Sequence, residues 1–504
     1  MIHQPTIMTP LRMLACTALA CALAACTTVG PDYRLPPDAV AARPASAAPF
    51  MGARDNTAFL DAAVPGQWWR LYDDPALNGL VAKALGANTD LRVAAANLER
   101  ADAIVREARA QTQPGATLSA SPTYGHVSGI QELAPDYRPP SQWSYSGSAG
   151  ISYQVDLVGQ IRRTIEAAGA DRDAAQAAYD ATRAAVAAQT TRAYTTACAA
   201  GMQLQSAQHS VDVQAESVRA AEQLQHLGRG TTLDVTRARS QLEQLRANLP
   251  PLQAQRRIAL FQLATLTGDT PAQFPPQLDH CTALPALKQP IPVGDGAALL
   301  RRRADIRQAE RSLAAATARI GVATADLYPK ITLGLSAASA GPAALFGQAS
   351  TFAWSAGPLI SWTIPNTGAV QARIAEAQAG TRAAYARFDA TVLNALRETE
   401  SALEIYAREL DRHAALSAAR DQSAEAAGQA RTLYNYGKTD YLTVLDAERT
   451  LASNESALAA SAAQLAGDQI AVFLALGGGW QTDGAAPPVA TTPSGPANMA
   501  PSRP

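Results

Sequence analysis

Tyr436-Gly437-Lys438-Thr439-Asp440-Tyr441-Leu442-Thr443-Val444-Leu445-Asp446-Ala447-Glu448-Arg449-Thr450-Leu451 reads as a tight turn that opens a long helix. Gly437 suits the left-handed backbone conformation that ends one helix. Asp440 is a good N-cap for the next. The same chemistry occurs upstream in Leu227-Gly228-Arg229-Gly230-Thr231-Thr232-Leu233-Asp234-Val235. Gly228 and Gly437 are 437 − 228 = 209 positions apart, and Leu233/Leu442, Val235/Val444, Ala238/Ala447 and Leu242/Leu451 share that spacing. The chain therefore holds two copies of one unit, each with a helical hairpin tip.

Upstream of each tip the pattern is helical for a long way. Ile161–His226 contains no Pro, and as one helix it runs on the order of 100 Å at ~1.5 Å per residue. Its counterpart is Ala369–Tyr434, and the helices returning from the tips are Leu233–Leu266 and Tyr441–Leu476. Pro250-Pro251 predicts a kink or break at Leu249, because Pro removes a donor and disfavours helix at the preceding residue. Ahead of the long helices the period changes from 3.6 to 2. Trp143, Tyr145, Ala149, Ile151, Tyr153 and Val155 alternate with Ser144, Ser146, Ser148, Ser152, Gln154 and Asp156. Thr117–Tyr124, Ile331–Ala337 and Thr351–Trp362 alternate in the same way, with Gly125–Ser141 and the neighbourhood of Gly341-Pro342 as loops. Such strands have one apolar and one polar face. Aromatic residues near both ends of the apolar face suit two membrane interfaces, while a solvated antiparallel hairpin gives a similar pattern. Shorter helices precede the strands, near Pro75 and over about Thr89–Gln113. Their echo in the second copy is Asp305-Ile306-Arg307 for Asp90-Leu91-Arg92.

The N-terminus reads as a targeting segment. Arg12 precedes the apolar run Met13–Ala25, too short to span a bilayer comfortably, which ends in Leu23-Ala24-Ala25-Cys26. Small residues before Cys match a bacterial lipobox, with Cys26 acylated and made the new N-terminus; an ordinary signal peptide containing Cys is the alternative. Thr27 in place of Asp gives no inner-membrane retention signal, and Met8 or Met13 are alternative starts. Thr27–Phe59 is rich in Pro and Ala and is expected to be extended. Of the remaining cysteines, Cys198 sits in a helical run and Cys281 in a Pro-rich segment; nothing in their spacing supports a bridge, and both are expected to be free. A net charge of -1 argues against non-specific nucleic-acid binding. No His-Glu-x-x-His, paired-Cys, Walker or dinucleotide pattern is present, and His280-Cys281 lacks further ligand spacing.

Each copy reads helix, strand, strand, long helix, tip, returning helix, which gives four amphipathic strands per chain. Four strands cannot close a barrel, and open edges are not tolerated in lipid. The chain must therefore oligomerise. Two chains give about eight strands and a nearly filled interior, whereas three give about twelve and a conducting lumen. The small polar residues of the inner face favour the trimer.

These features together resemble the TolC-like outer-membrane efflux family, in its OprM/NodT lipoprotein branch. The matching pieces span nearly the whole mature chain. They are the lipobox with Gly30-Pro31-Asp32-Tyr33; Trp68-Trp69 with Asp74-Pro75-Ala76-Leu77; Asp156-Leu157-Val158-Gly159-Gln160-Ile161-Arg162-Arg163; Leu300-Arg301-Arg302-Arg303-Ala304-Asp305-Ile306; the tip; and Ala475-Leu476-Gly477-Gly478-Gly479-Trp480. Ala304 departs from the family pattern, which has Pro there, and predicts a small local effect at the start of that helix. The resemblance implies a mostly helical α+β channel-tunnel: a homotrimer with a 12-stranded barrel in outer-membrane lipid and a periplasmic α-helical barrel. It implies a periplasmic adaptor (membrane fusion) protein and an inner-membrane pump of the resistance-nodulation-division (RND) type as partners, no active site, and no cofactor beyond lipid on Cys26.

In those terms the chain divides into a signal peptide (1–25), a lipidated extended segment (26–75), a first channel repeat (76–268, strands about 115–126 and 143–156) and a Pro-rich equatorial connector (269–298). A second channel repeat (299–480, strands about 330–340 and 350–364) and a disordered tail (481–504) follow. The resemblance also places a periplasmic gate at Leu442 and Asp446, four residues apart on one helix face. Thr443 stands where some family members have a second Asp. Gly228, Arg229, Gly230, Gly437, Lys438 and Asp440, in the tips, are the implied adaptor contacts. The function expected is a passive exit duct for small molecules. Export of proteins or metal ions through the same fold is an alternative, although six Met in the whole chain give a Met-lined copper path no support. A lipid-anchored coiled-coil protein without a pore is another, but it has no need of the strands.

Overall fold

The computed structural model describes residues 28–480 except 55, 127, 129–135, 137, 363, 365 and 366. The signal segment 1–25, Cys26, the tail 481–504 and most of the first strand–strand loop lie outside the described residues. In chain order the main elements are β1 (Phe59–Leu60), α1 (Pro75–Ala87), α2 (Thr89–Ala110), β2 (Gly115–Gly125), β3 (Gln142–Val155), α3 (Gln160–His226), α4 (Thr232–Arg246) and α5 (Leu249–Leu266). They continue with β4 (Ile291–Pro292), α6 (Gly296–Arg302), α7 (Ala304–Ala325), β5 (Lys330–Pro342), β6 (Phe352–Ser361), α8 (Thr367–Asn435) and α9 (Tyr441–Ala475). The chain forms two compact units. One comprises Arg92–Tyr179, Ala304–Leu396 and the described part of Met1–Ser46. The other comprises Ala47–Leu91, Asp180–Arg303 and the described part of Arg397–Pro504. Each unit draws on both copies of the repeat, so the sequence duplication does not correspond to two separate domains.

The first unit contains an antiparallel sheet in the order β2-β3-β5-β6. Its register aligns the alternation of all four strands. Leu118, Ala149, Ala337 and Trp354 form one cross-strand row, and Thr117, Gly150, Ser336 and Ser355 form an adjacent row on the opposite face. The hydroxyls satisfy one another across strands: Ser119 Oγ lies 2.7 Å from Ser148 Oγ, Ser336 Oγ 2.8 Å from Ser355 Oγ, and Thr123 Oγ1 3.0 Å from Ser144 Oγ. Every residue of β2 and β6 is exposed. The sheet is thus a single layer with both faces bare, which a sandwich or helix-covered sheet never has. β5 runs on through Gly341-Pro342, where a loop was expected; the turn occupies 343–351.

Next to the sheet, the segment that follows Cys26 is clamped down. Gly30 has φ 84° and packs so closely on Gly321 that an added Cβ would lie 2.4 Å from its Cα. Buried Arg163 donates to Val29 O (3.0 Å), Gly30 O (3.0 Å), Asp32 Oδ1 (2.7 Å) and Glu166 Oε2 (2.7 Å). The extended reading of Thr27–Phe59 needs correction beyond this point. Short helical turns occupy Val40–Ala42, Pro44–Ala47 and Met51–Ala53, tied by Val40 N to Asp389 and by Met51 N and Gly52 N to Glu400.

In the second unit, the Trp and Gly motifs meet. Trp68 stacks on Phe473 with ring centroids 4.8 Å apart. Gly478 and Gly479 leave room for Trp68, and Trp480 Nε1 donates to Arg302 O at 2.9 Å. Arg302 is buried without a carboxylate. Its guanidinium donates to Leu476 O (2.8 and 2.6 Å) and Val64 O (3.2 Å), so it caps the carbonyl end of α9, where a cation is favoured. Burial alone draws its pKa down to about 10. α7 starts at Ala304 itself, the position that departs from the pattern. The helix after the first tip breaks at Ala247–Asn248, and Pro250-Pro251 fall in the first turn of α5, where Pro is tolerated.

Cys198 and Cys281 are not free: they form a disulfide across 83 residues, with Cα atoms 4.8 Å apart. The enabling residue is Gly201, whose missing Cβ would lie 2.0 Å from Cys281 O. The connector thereby rests directly on α3. Denatured mature protein should show thiols at these two positions only after reduction. Gly201→Val should block the bridge, and Cys281→Ser should lower stability by about 2–5 kcal/mol, read from thermal unfolding with and without reductant.

Candidate functional site

The two tips are superposable in their hydrogen bonding. Gly228 has φ 70° and Gly437 φ 67°. Arg229 N donates to Leu224 O and Lys438 N to Leu433 O, both at 2.8 Å. Gly228 N donates to Gln225 O at 3.0 Å and Gly437 N to Tyr434 O at 2.9 Å. This is the Schellman pattern, in which a left-handed Gly lets the last helical carbonyls find donors. Gly230 packs on Leu224 and Gln225. Each returning helix then starts on a Thr–Asp pair with the roles exchanged. In α4 the N-cap is Thr231, which closes a capping box with Asp234. In α9 the N-cap is Asp440, which accepts from Thr443 N at 3.0 Å and Thr443 Oγ1 at 2.6 Å. These Thr443 hydrogen bonds, with a smaller contribution from Arg237, hold the Asp440 carboxyl below the usual carboxylate range.

Behind the tips the two hairpins share one apolar cluster. Val211, Val218 and Ala221 of α3, Val235, Ala238 and Leu242 of α4, and Tyr441 and Leu445 of α9 are its buried members. One charge sits among them. Glu448 is 7% exposed and accepts from Arg431 Nε (2.7 Å) and Ser217 Oγ (3.0 and 3.1 Å), linking α8, α9 and α3. Arg449 Nε donates to Gln241 Oε1 at 2.7 Å, linking α9 to α4. Sequence reading missed this network. Its signal was present, since Glu448 falls in phase with buried Tyr441, Val444 and Leu445 rather than with the exposed face.

Leu442 (48% exposed) and Asp446 lie on the exposed face of the first turns of α9. Leu233 is likewise exposed in α4, and Arg237 stands where the second copy has Asp446. Two further exposed apolar residues went unnoticed in the sequence. Leu227 (71%) and Tyr436 (76%) flank the two tip glycines at the same 209-residue spacing. Arg229 and Lys438 are exposed beside them. Among the described residues no group of three or more His, Cys, Asp or Glu is placed to hold a metal ion.

A profile of the family described as outer membrane efflux protein matches residues 80–269 and 297–478. The chain is similar to Nodulation protein T of Rhizobium leguminosarum bv. viciae, 30% identical over 478 residues and 95% of both chains. It is also similar to the toluene efflux pump outer membrane protein TtgC of Pseudomonas putida, 30% identical over 93% of this chain and 96% of that one. Among solved structures, the outer-membrane channel OprN superposes with a TM-score of 0.83 at 36% identity, over 90% of this chain and all of the other.

The exchanged caps are testable. Asp440→Ala should speed amide hydrogen exchange at Thr443 and Val444. The double swap Asp440→Thr, Thr443→Asp should restore protection, because α4 starts on that arrangement already. Arg431→Ala strands a buried carboxylate and should cost about 1–3 kcal/mol, more than Glu448→Gln, in chemical unfolding of the trimer.

Proposed function

The chain belongs to the outer membrane efflux protein family, and from that premise we propose how its tips and sheet work as a gated exit duct. The protein is an outer-membrane channel of a tripartite efflux pump. It is a homotrimer, and it receives small molecules from a periplasmic adaptor and an inner-membrane pump and conducts them outward. It performs no chemistry on its cargo and takes no cofactor; lipid on Cys26 adds an anchor. The observation that carries this reading is the bare two-faced sheet, apolar on one side and hydroxyl-lined on the other, continued by α3 and α8. In a trimer the apolar faces meet hydrocarbon and the hydroxyl faces line water.

The gate is assigned to Leu442 and Asp446. Both stand on the exposed face of α9, so in a narrow three-fold mouth the Leu side chains fill the axis. The three Asp446 carboxylates sit one turn away and repel one another unless a cation neutralises them. Gly228, Arg229, Gly230, Gly437, Lys438 and Asp440 form the adaptor-facing tips, and the exposed pair Leu227 and Tyr436 supports this by offering apolar surface beside two cations.

Purified protein should run as a heat-modifiable trimer and conduct in planar bilayers; a monomeric, non-conducting protein overturns the duct. Leu442→Ala and Asp446→Ala should each raise single-channel conductance and vancomycin permeability, and no change in either assay removes the gate assignment. Crosslinks from Arg229 or Lys438 should reach the adaptor; contacts confined to the connector count against the tips.

A further inference from the structure

Among the described residues of the four barrel strands, one is charged: Lys330, the first residue of β5. It belongs to the hydroxyl face. Its successor Ile331 is in the apolar row with Val155 and Ile360, and its own cross-strand partner is Ser361. Lys330 Nζ lies 3.0 Å from Asp326 Oδ1, and Arg373 Nη1 of α8 lies 2.9 Å from Asp326 Oδ2. Gln160 Nε2 donates to Asp326 Oδ1 at 2.9 Å. The Lys330 and Arg373 side chains are 46% and 56% exposed, whereas the Asp326 side chain is 20% exposed. The carboxylate therefore lies beneath two cations that reach outward. Asp156 and Arg162, at the same end of the sheet, pair with each other at 3.6 Å and leave no excess charge. Glu376 lies about one turn farther along α8.

We propose that Lys330 and Arg373, sharing Asp326, form a cationic collar at the helix-side end of the barrel. There it takes up organic anions, carboxylates and sulfonates, as they enter a barrel wall that is otherwise uncharged. The proposal rests on the duct reading and assigns it a substrate preference. Three copies place two cations per chain, with the half-buried Asp326 between them, around one ring, and Glu376 stands about one turn farther along α8. Fixed charge of this kind acts over a Debye length of about 10 Å at 0.1 M salt and about 3 Å at 1 M. The wall beyond offers Ser and Thr hydroxyls, which hydrogen-bond solutes of either sign and discriminate little. Charge selection is thus confined to one level of the barrel.

The test uses full-length trimers in planar bilayers under a tenfold KCl gradient. All are made in an Asp446→Asn background, so that the acidic residue near the tips does not mask the collar. Lys330→Gln with Arg373→Gln should lower the chloride-to-potassium permeability ratio by about twofold or more at ~0.1 M salt, and the difference should fade near ~1 M. Asp326→Asn, which unmasks the cations, should raise the ratio. An unchanged ratio in both variants, with normal trimers and conductance, overturns the collar and leaves the duct standing. Protein that forms no conducting trimer in any background overturns both.

Discussion

An unpaired sheet edge has no place in hydrocarbon, because no water is there to satisfy its amides and carbonyls. The rest of this structure follows from that constraint. β2 and β6 are the outer strands of a four-stranded sheet, and among the described residues of the chain nothing pairs their free edges. The sheet also has no covered face, so it gains nothing from a core of its own. Its register instead collects every large apolar side chain of β3 on one side and pairs the hydroxyls on the other. Such a sheet is stable only when its β2 edge meets the β6 edge of a neighbouring copy and its apolar face meets lipid. Oligomerisation is in this sense a backbone requirement rather than an embellishment of a finished fold.

The helices answer a different requirement, that of packing closely with little side-chain bulk. Ala dominates the buried positions of α3, including Ala167, Ala168, Ala174, Ala177, Ala184, Ala187 and Ala188. Small side chains let backbones approach closely, but each buries little area, so stability must come from elsewhere as well. It comes from a few concentrated fixings. Trp68 stacks on Phe473, Arg302 caps the last turn of α9, the Cys198–Cys281 bridge ties the connector to α3, and Arg163 grips the segment after Cys26. Three of these four rely on a neighbouring glycine: Gly478 at Trp68, Gly201 at Cys281, and Gly321 at Arg163.

Periodicity made the architecture legible. The switch from period 3.6 to period 2 and the 209-residue echo located strands, long helices and tips, because these depend on local backbone chemistry. Long-range juxtaposition was not legible in the same way. The disulfide requires that a Pro-rich connector land on α3, and the glycine that permits it, Gly201, looks from sequence like a weak point in a helix. The exposure of Leu227 and Tyr436 depends on tertiary packing, since Leu224 and Tyr434 nearby are half-buried. Glu448 lay between the two cases: its phase pointed inward, but its partners Arg431 and Ser217 come from other helices. The proposed gate residues Leu442 and Asp446 were reached through resemblance, since exposure of Leu442 in one chain has no meaning without its copies.

The duplication was preserved in geometry but relaxed in chemistry, and the pattern of relaxation is informative. Schellman bonds recur at both tips with the same partners, and again where α5 and α9 end, at Gly268 and Gly477. The N-cap pair survives with Thr and Asp exchanged, so the bond was retained although the residues changed places. Gly159, by contrast, is left-handed at φ 81°, packed on Thr28, while Gly368 at the equivalent position is an unconstrained helical residue. Among the described residues, the N-terminal segment meets this glycine only in the first copy. Arg237 and Asp446 likewise hold equivalent places with opposite charge. Arg237 acts across the hairpins on the Asp440 cap, whereas Asp446 stays on the exposed face. Backbone-determined features thus remained two-fold, and residues in unlike surroundings, such as Gly159 beside the N-terminal segment, diverged. A duplicated subunit of a three-fold tube must do this, because its two halves occupy different positions in every copy.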